Sequence, residues 1–150
     1  MVRLDPKIRR NRSKRWRMNM ANVIFYEKPG CAGNARQKAL LLASGHTVDA
    51  RNLLAEPWSV SSLRPYFGEK PVKEWFNKES PRVKSGEIDL ENVTPQTALV
   101  TMILDPTLIR RPLMRVGGQC EAGFDPQLVG SWIGLSPAAE AATEGCPRKS

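Results

Sequence analysis

The chain has 150 residues, 41% hydrophobic and 25% charged, which suits one domain able to bury a core without disulfide staples. No apolar run approaches the roughly 20 residues that span a bilayer, and three cysteines with one histidine, lacking any Cys-x-x-Cys spacing, argue against a metal site. The net charge of +8 points to nucleic acid only at first sight, because residues 1–20 hold eight basic side chains against Asp5 alone and the body carries +1.

That first stretch, 1–20, reads as a basic arm, either disordered or an extension ahead of a true start at Met18 or Met20. No apolar segment of signal-peptide type follows its charges. An odd cysteine count without an export signal fits a reducing compartment, so the chain is read as a cytoplasmic monomer. The body is expected over 21–135, with a helical insert at about 55–106 and a flexible tail over 136–150.

Asn22 to Tyr26 is continuously apolar around Val23, Ile24 and Phe25, and predicts a first strand buried on both faces. A Pro29-Gly30 turn leads to Cys31 and a helix ending at Gly45, which fits the left-handed position past a helix end. Asn34 is the expected N-cap of that helix, and Ala35, Ala39, Leu42 and Ala43 its buried stripe. His46 to Asn52 predicts a second strand, parallel to the first through the helical crossover. His46, directly after the glycine, is expected at a strand edge facing water.

Between Leu53 and Pro106 the pattern is of short helices broken by Pro and Gly. Ser59 to Phe67 and Pro71 to Phe76 are two of them, with Trp58, Tyr66, Phe67, Trp75 and Phe76 as packing residues. Ser80 to Asn92 reads as loop. Thr94-Pro95 carries the N-cap and first-turn proline signal and opens a helix to Leu104, with Leu99, Met102 and Ile103 on its apolar face. Asp105-Pro106 stops it. Leu113 to Val116 is a third strand, Gly117-Gly118 a hairpin turn, and Gln119 to Glu121 a fourth strand. Asp125-Pro126 opens a last helix to about Ile133. The fold class is therefore α/β: a βαβ unit, a helical insert, then ββα.

Strand, tight loop, cysteine, helix is an order with chemical meaning. It sets Cys31 at a helix amino terminus, where unpaired N–H groups favour a negative charge and lower a thiol's pKa. Lys28 and Arg36 flank the position and push the same way. The bland alternative is an inert, buried cysteine. Cys120 reads as a small strand residue and Cys146 as a tail residue, with a resolving role for either kept open.

The segments FYEKPGCAGNARQKALL, PVKEWFNK, DPTLIRRPLM and AGFD, in that order from Asn22 to Ile133, resemble the arsenate reductase (ArsC)/Spx family. FYEKPGCAGNARQKALL and NLLAEPW are most similar to its subgroup of nitrogenase-associated proteins. The resemblance implies a thioredoxin-like fold, a four-stranded mixed sheet with the helical insertion between strands 2 and 3. It implies Cys31 as nucleophile, Pro112 as the proline that is typically cis in such folds, and Arg111 as the guanidinium that holds an anion beside the sulfur. Arsenate reductases carry further arginines at the positions that here are Asn77 and Phe124, and a histidine is common where this chain has Glu27. Asn34 stands where the family has the Ser or Thr that helps hold the thiolate, or the second cysteine of the Spx switch.

Two functions are carried forward. One is a single-cysteine thiol reductase using Cys31, with glutathione or glutaredoxin as reductant and Asn34 and the helix amides holding the thiolate. Efficient arsenate reduction is not expected, since one guanidinium in place of three leaves a dianion poorly compensated. The other is a non-catalytic binding protein with a partner in nitrogen-fixation metabolism.

Overall fold

Residues 20–136 are described in the computed structural model. Almost all of the basic arm and of the tail, Cys146 included, lie outside the described residues. Among these residues no helix is long and apolar enough to cross a membrane.

In the sheet, β1 (Asn22–Glu27) and β2 (Thr47–Asn52) run parallel, with Asn22 opposite Thr47 and Glu27 opposite Asn52. The crossover between them is α1 (Ala32–Ala43). On the other side of β1 lies β3 (Leu113–Val116), antiparallel, followed by β4 (Gln119–Ala122), so the strand order is β2-β1-β3-β4. This is the mixed four-stranded sheet anticipated above. Its third strand has the expected bounds, and its turn is the expected Gly117-Gly118 pair.

β1 separates two cores. Val23 and Phe25, both fully buried, join Leu40, Leu41, Met114 and Val129 beneath α1 and α5 (Pro126–Trp132). Tyr26, with Ile24 packed beside it, turns the other way into a larger cluster built with the insert. Alternate side chains of one strand thus serve both layers, which is why the strand is apolar without a break. Full burial of each such side chain contributes about 1.5–3 kcal/mol.

The insert comprises α2 (Val60–Leu63) continuing as a 3-10 helix (Arg64–Phe67), a second 3-10 helix (Val72–Trp75), α3 (Pro81–Lys84) and α4 (Pro95–Leu104). Its aromatics are core. Trp58 contacts Tyr26 and Tyr66 at centroid distances of 4.8 and 5.7 Å, and Phe67 stacks on Trp75 at 4.7 Å. Both indole N–H groups are satisfied, donating to the carbonyls of Leu53 and Lys70. Ser80 to Asn92, expected as loop, contains α3 because Ser80-Pro81 repeats the cap-and-proline start, with the Ser80 hydroxyl accepting from Arg82 N–H. Asp105 ends α4 as expected, and it also caps the 3-10 helix Pro106–Leu108.

Two expectations are corrected by packing. The stripe Ala35, Ala39, Leu42 and Ala43 of α1 faces outward, with Leu42 57% exposed, while Asn34, Leu40 and Leu41 face the sheet. Alanines fit either face, so they do not fix the helix's rotation; the packing of Leu40 and Leu41 into the core and the hydrogen bonds of Asn34 do. His46 is also buried, at 4% exposure, rather than facing water. Its Nδ1 accepts from Ala21 N–H at 3.0 Å, which leaves Nε2 to donate to the Gly134 carbonyl at 2.7 Å. Ser44 adds a second tie, its hydroxyl accepting from Ser136 N–H. The histidine is a clasp between the start of β1 and the segment after α5.

Candidate active site

The loop that presents Cys31 is set by two local constraints. Pro29 and Gly30 occupy the middle of a turn closed by Cys31 N–H donating to the Lys28 carbonyl at 3.1 Å. Gly30 has φ +85, the value a type II turn needs at that position and one that L side chains rarely adopt. The chain then enters α1 with Cys31 itself as the N-cap, its sulfur accepting from Asn34 N–H at 3.5 Å.

Asn34 is therefore not the N-cap, and its amide does not hold the sulfur; its backbone N–H does. Its side chain is 2% exposed and reaches back, Oδ1 accepting from Lys28 N–H at 3.1 Å and Nδ2 donating to Gln37 Oε1 at 3.0 Å. The effect is a buckle between the turn and the first turn of the helix. A serine or threonine is too short to span both partners. Glu27, in the place where the family often has histidine, is spent on Lys38, at 2.8 Å.

The electrostatics of Cys31 combine one opposing effect with several favourable ones. Partial burial pushes the thiol up, but the Asn34 N–H, the hydrogen bond and charge of the Arg111 guanidinium, and the Gly33 N–H together hold its pKa below the ordinary thiol value. The largest charge effect comes from Arg111, 80 positions away in the sequence, and not from the neighbouring Lys28 or Arg36. Lys28 is exposed and serves through its backbone. Arg111 is followed by a cis peptide to the buried Pro112, whose carbonyl accepts from Gly123 N–H at 2.8 Å.

Arg111 also forms part of a cleft of about 250 Å³ shared with Glu74, Phe76, Asn77, Lys78 and Arg110. Asn77 is thus brought to the same cleft as Arg111. Its amide is already engaged, donating to the Thr107 carbonyl at 3.4 Å and accepting from Glu79 N–H at 3.1 Å. Phe124, at the other arginine position, packs against the core beneath α1 and α5.

Three charged residues of the cleft escaped the sequence reading. Arg110 donates to the Glu74 carbonyl at 3.1 Å and lies 3.5 Å from Glu74 Oε1. Lys78 pairs with the other carboxylate oxygen at 3.3 Å. Gly123 makes room for Arg110, since a side chain there would run into the guanidinium, with 2.7 Å to its Cζ. The visible signals were the Arg110-Arg111 doublet and the Glu74/Lys78 spacing of four. Cys120 lies elsewhere, on β4 beside Glu121, and is free. Among the described residues no three His, Cys, Asp or Glu side chains gather into a group suited to a metal.

The chain is 52% identical over 128 residues to an uncharacterized 15.7 kDa protein in the draG 3′ region of Rhodospirillum rubrum, covering 85% of this chain and 90% of that one. It is 24% identical over 105 residues to the global transcriptional regulator Spx of Lactiplantibacillus plantarum, covering 69% and 80%. Among solved structures, an arsenate reductase from Vibrio cholerae superposes with a TM-score of 0.63 at 23% identity, over 76% of this chain and 98% of that one, which shows the shared fold. The ArsC family model matches residues 11–131, spanning the sheet, the insert and the Cys31 loop, and the chain belongs to the ArsC family.

Proposed function

We propose that the protein is a single-cysteine thiol reductase. The observation that carries this reading is Cys31 as the N-cap of α1, its sulfur accepting from Asn34 N–H, with the Arg111 charge helping to lower its pKa. In the first step the Cys31 thiolate attacks one sulfur of a disulfide R–S–S–R′, forming Cys31–S–S–R and expelling R′S⁻. A glutathione thiolate, or that of a glutaredoxin, then attacks the R sulfur. This frees the Cys31 thiolate and leaves R–S–S–glutathione or the corresponding mixed disulfide with glutaredoxin. An external thiol is needed because Asn34 stands where a second cysteine would resolve the adduct. Arg111 holds a carboxylate or oxyanion of the incoming molecule, and Asn77 offers a polar wall to the same cleft. Arsenate is a poor substrate on this reading, since Asn77 and Phe124 supply no guanidinium.

The likeness to Spx favours a second reading, a non-catalytic protein acting through contacts. The relative in the draG 3′ region is the observation behind a partner linked to nitrogenase. One assay separates the two readings. Glutathione-dependent reduction of bis(2-hydroxyethyl) disulfide is expected for the native chain and lost in Cys31→Ser. Absence of turnover in the native chain, with the biological effect retained by Cys31→Ser, rejects the enzyme and leaves the binding protein.

A further inference from the structure

The charged groups of the cleft are not arranged as an open anion site. Four of them border it, three cationic and one acidic. Arg111 stands just ahead of β3, whose Leu113 pairs with Tyr26 of β1, and its charge favours the Cys31 thiolate. The other two cations converge on Glu74: Arg110 at 3.5 Å from Oε1, with a further hydrogen bond to the Glu74 carbonyl, and Lys78 at 3.3 Å from Oε2. Lys78 is exposed and its pair is weak by itself. Arg110 is better fixed, wedged over Gly123 and tied twice to the 3-10 helix Val72–Trp75, through its backbone N–H to the Trp75 carbonyl and its guanidinium to the Glu74 carbonyl. On its other side a second cleft presents Asp125 and Glu121, the latter paired with Lys70 at 3.1 Å.

We propose that Glu74 is a specificity-determining residue that masks a latent oxyanion pocket beside Cys31, by holding Arg110 and Lys78 and placing its own negative charge in the cleft. The mask rejects doubly charged oxyanions and leaves the cleft to substrates that are neutral or carry a single anionic group for Arg111. This rests on the reading of Cys31 as the reactive sulfur, and it names which electrophiles that sulfur meets. It also explains a mismatch in the chain itself. Three cations line the cleft, as an oxyanion site would require, yet a carboxylate sits among them.

The test uses charge-matched alkylation of the full chain, followed by mass spectrometry of the Cys31 peptide, at a pH where Cys31 is ionised in every protein compared. The readout is the rate with anionic iodoacetate divided by the rate with neutral iodoacetamide, so changes in thiolate content cancel. In Glu74→Gln this ratio is expected to rise about threefold, the effect of removing one screened unit charge several ångströms away. Sulfate is expected to protect Cys31 in Glu74→Gln beyond chloride at equal ionic strength. An unchanged ratio in a folded Glu74→Gln overturns the proposal. So does selective sulfate protection in the native chain, a measurement that needs no variant. Failure of disulfide turnover rejects the reductase reading while leaving this ratio readable, so the two failures are distinguishable.

Discussion

Cys31 and Cys120 are partly buried to a similar degree in the same small sheet protein, yet their thiols are pushed in opposite directions. At both, burial disfavours the thiolate. At Cys31 the penalty is overcome by two helix N–H groups and Arg111. At Cys120 burial prevails over the favourable charge of Arg115, and Glu121 adds to it, so the pKa is raised. The lesson is that exposure does not make a cysteine reactive. What differs is whether the backbone at the sulfur ends in unpaired donors, as at the start of a helix, or is consumed in a ladder, as on β4.

The broadest way to break this comparison is to alkylate both sulfurs together. At neutral pH, iodoacetamide is expected to modify Cys31 faster than Cys120, by on the order of tenfold, because the thiolate is favoured at the first and disfavoured at the second. Equal rates, read peptide by peptide, would dissolve the distinction. A sharper cut removes Arg111, the cation that acts on Cys31 and not on Cys120. Arg111→Gln is expected to slow Cys31 alkylation at neutral pH by about fivefold and to leave Cys120 unmoved, because a charge-assisted contact to the thiolate is lost. If Lys28 or Arg36 truly held the anion, the rate would survive.

The smallest effect is on stability, and its sign differs between the two sites. The Cys31 pKa is lower folded than unfolded, so its thiolate adds stability above the unfolded thiol pKa, and this fades as pH falls through the folded value. The Cys120 pKa is higher folded than unfolded. Its contribution is present below the unfolded pKa and is lost as pH rises through the folded one. Urea midpoints of Cys31→Ser and Cys120→Ser across the alkaline range should therefore diverge from the native chain with opposite slopes.

Much of the fold was legible because its signals are local. β1 announces itself by unbroken apolarity, and Thr94-Pro95 and Asp125-Pro126 write their helix starts in two residues each. Placing Cys31 at a helix start was legible for the same reason. The rotation of α1 was not, because its alanines fit either face, Leu40, Leu41 and Leu42 are consecutive, and one buried residue, Asn34, is polar. Nor was His46, whose partners at Ala21 and Gly134 are far away in sequence and are backbone groups, invisible in any side-chain pattern. The cleft shows the limit most clearly. Glu74 and Arg110 are 36 positions apart, and nothing in either neighbourhood says that they meet.

The His46 clasp has a practical corollary. It gathers Ala21 and Gly134, the two places where the described body begins and ends, at the amino end of β1. Cys31 follows the opposite end of that strand. Six residues at about 3.3 Å each set the two ends roughly 20 Å apart. In a chain trimmed to Met20 or to Ser136, a reporter or purification handle joined at that residue would branch off from the pole remote from the sulfur, so such labelled and immobilised forms are suited to presenting the thiol to a partner.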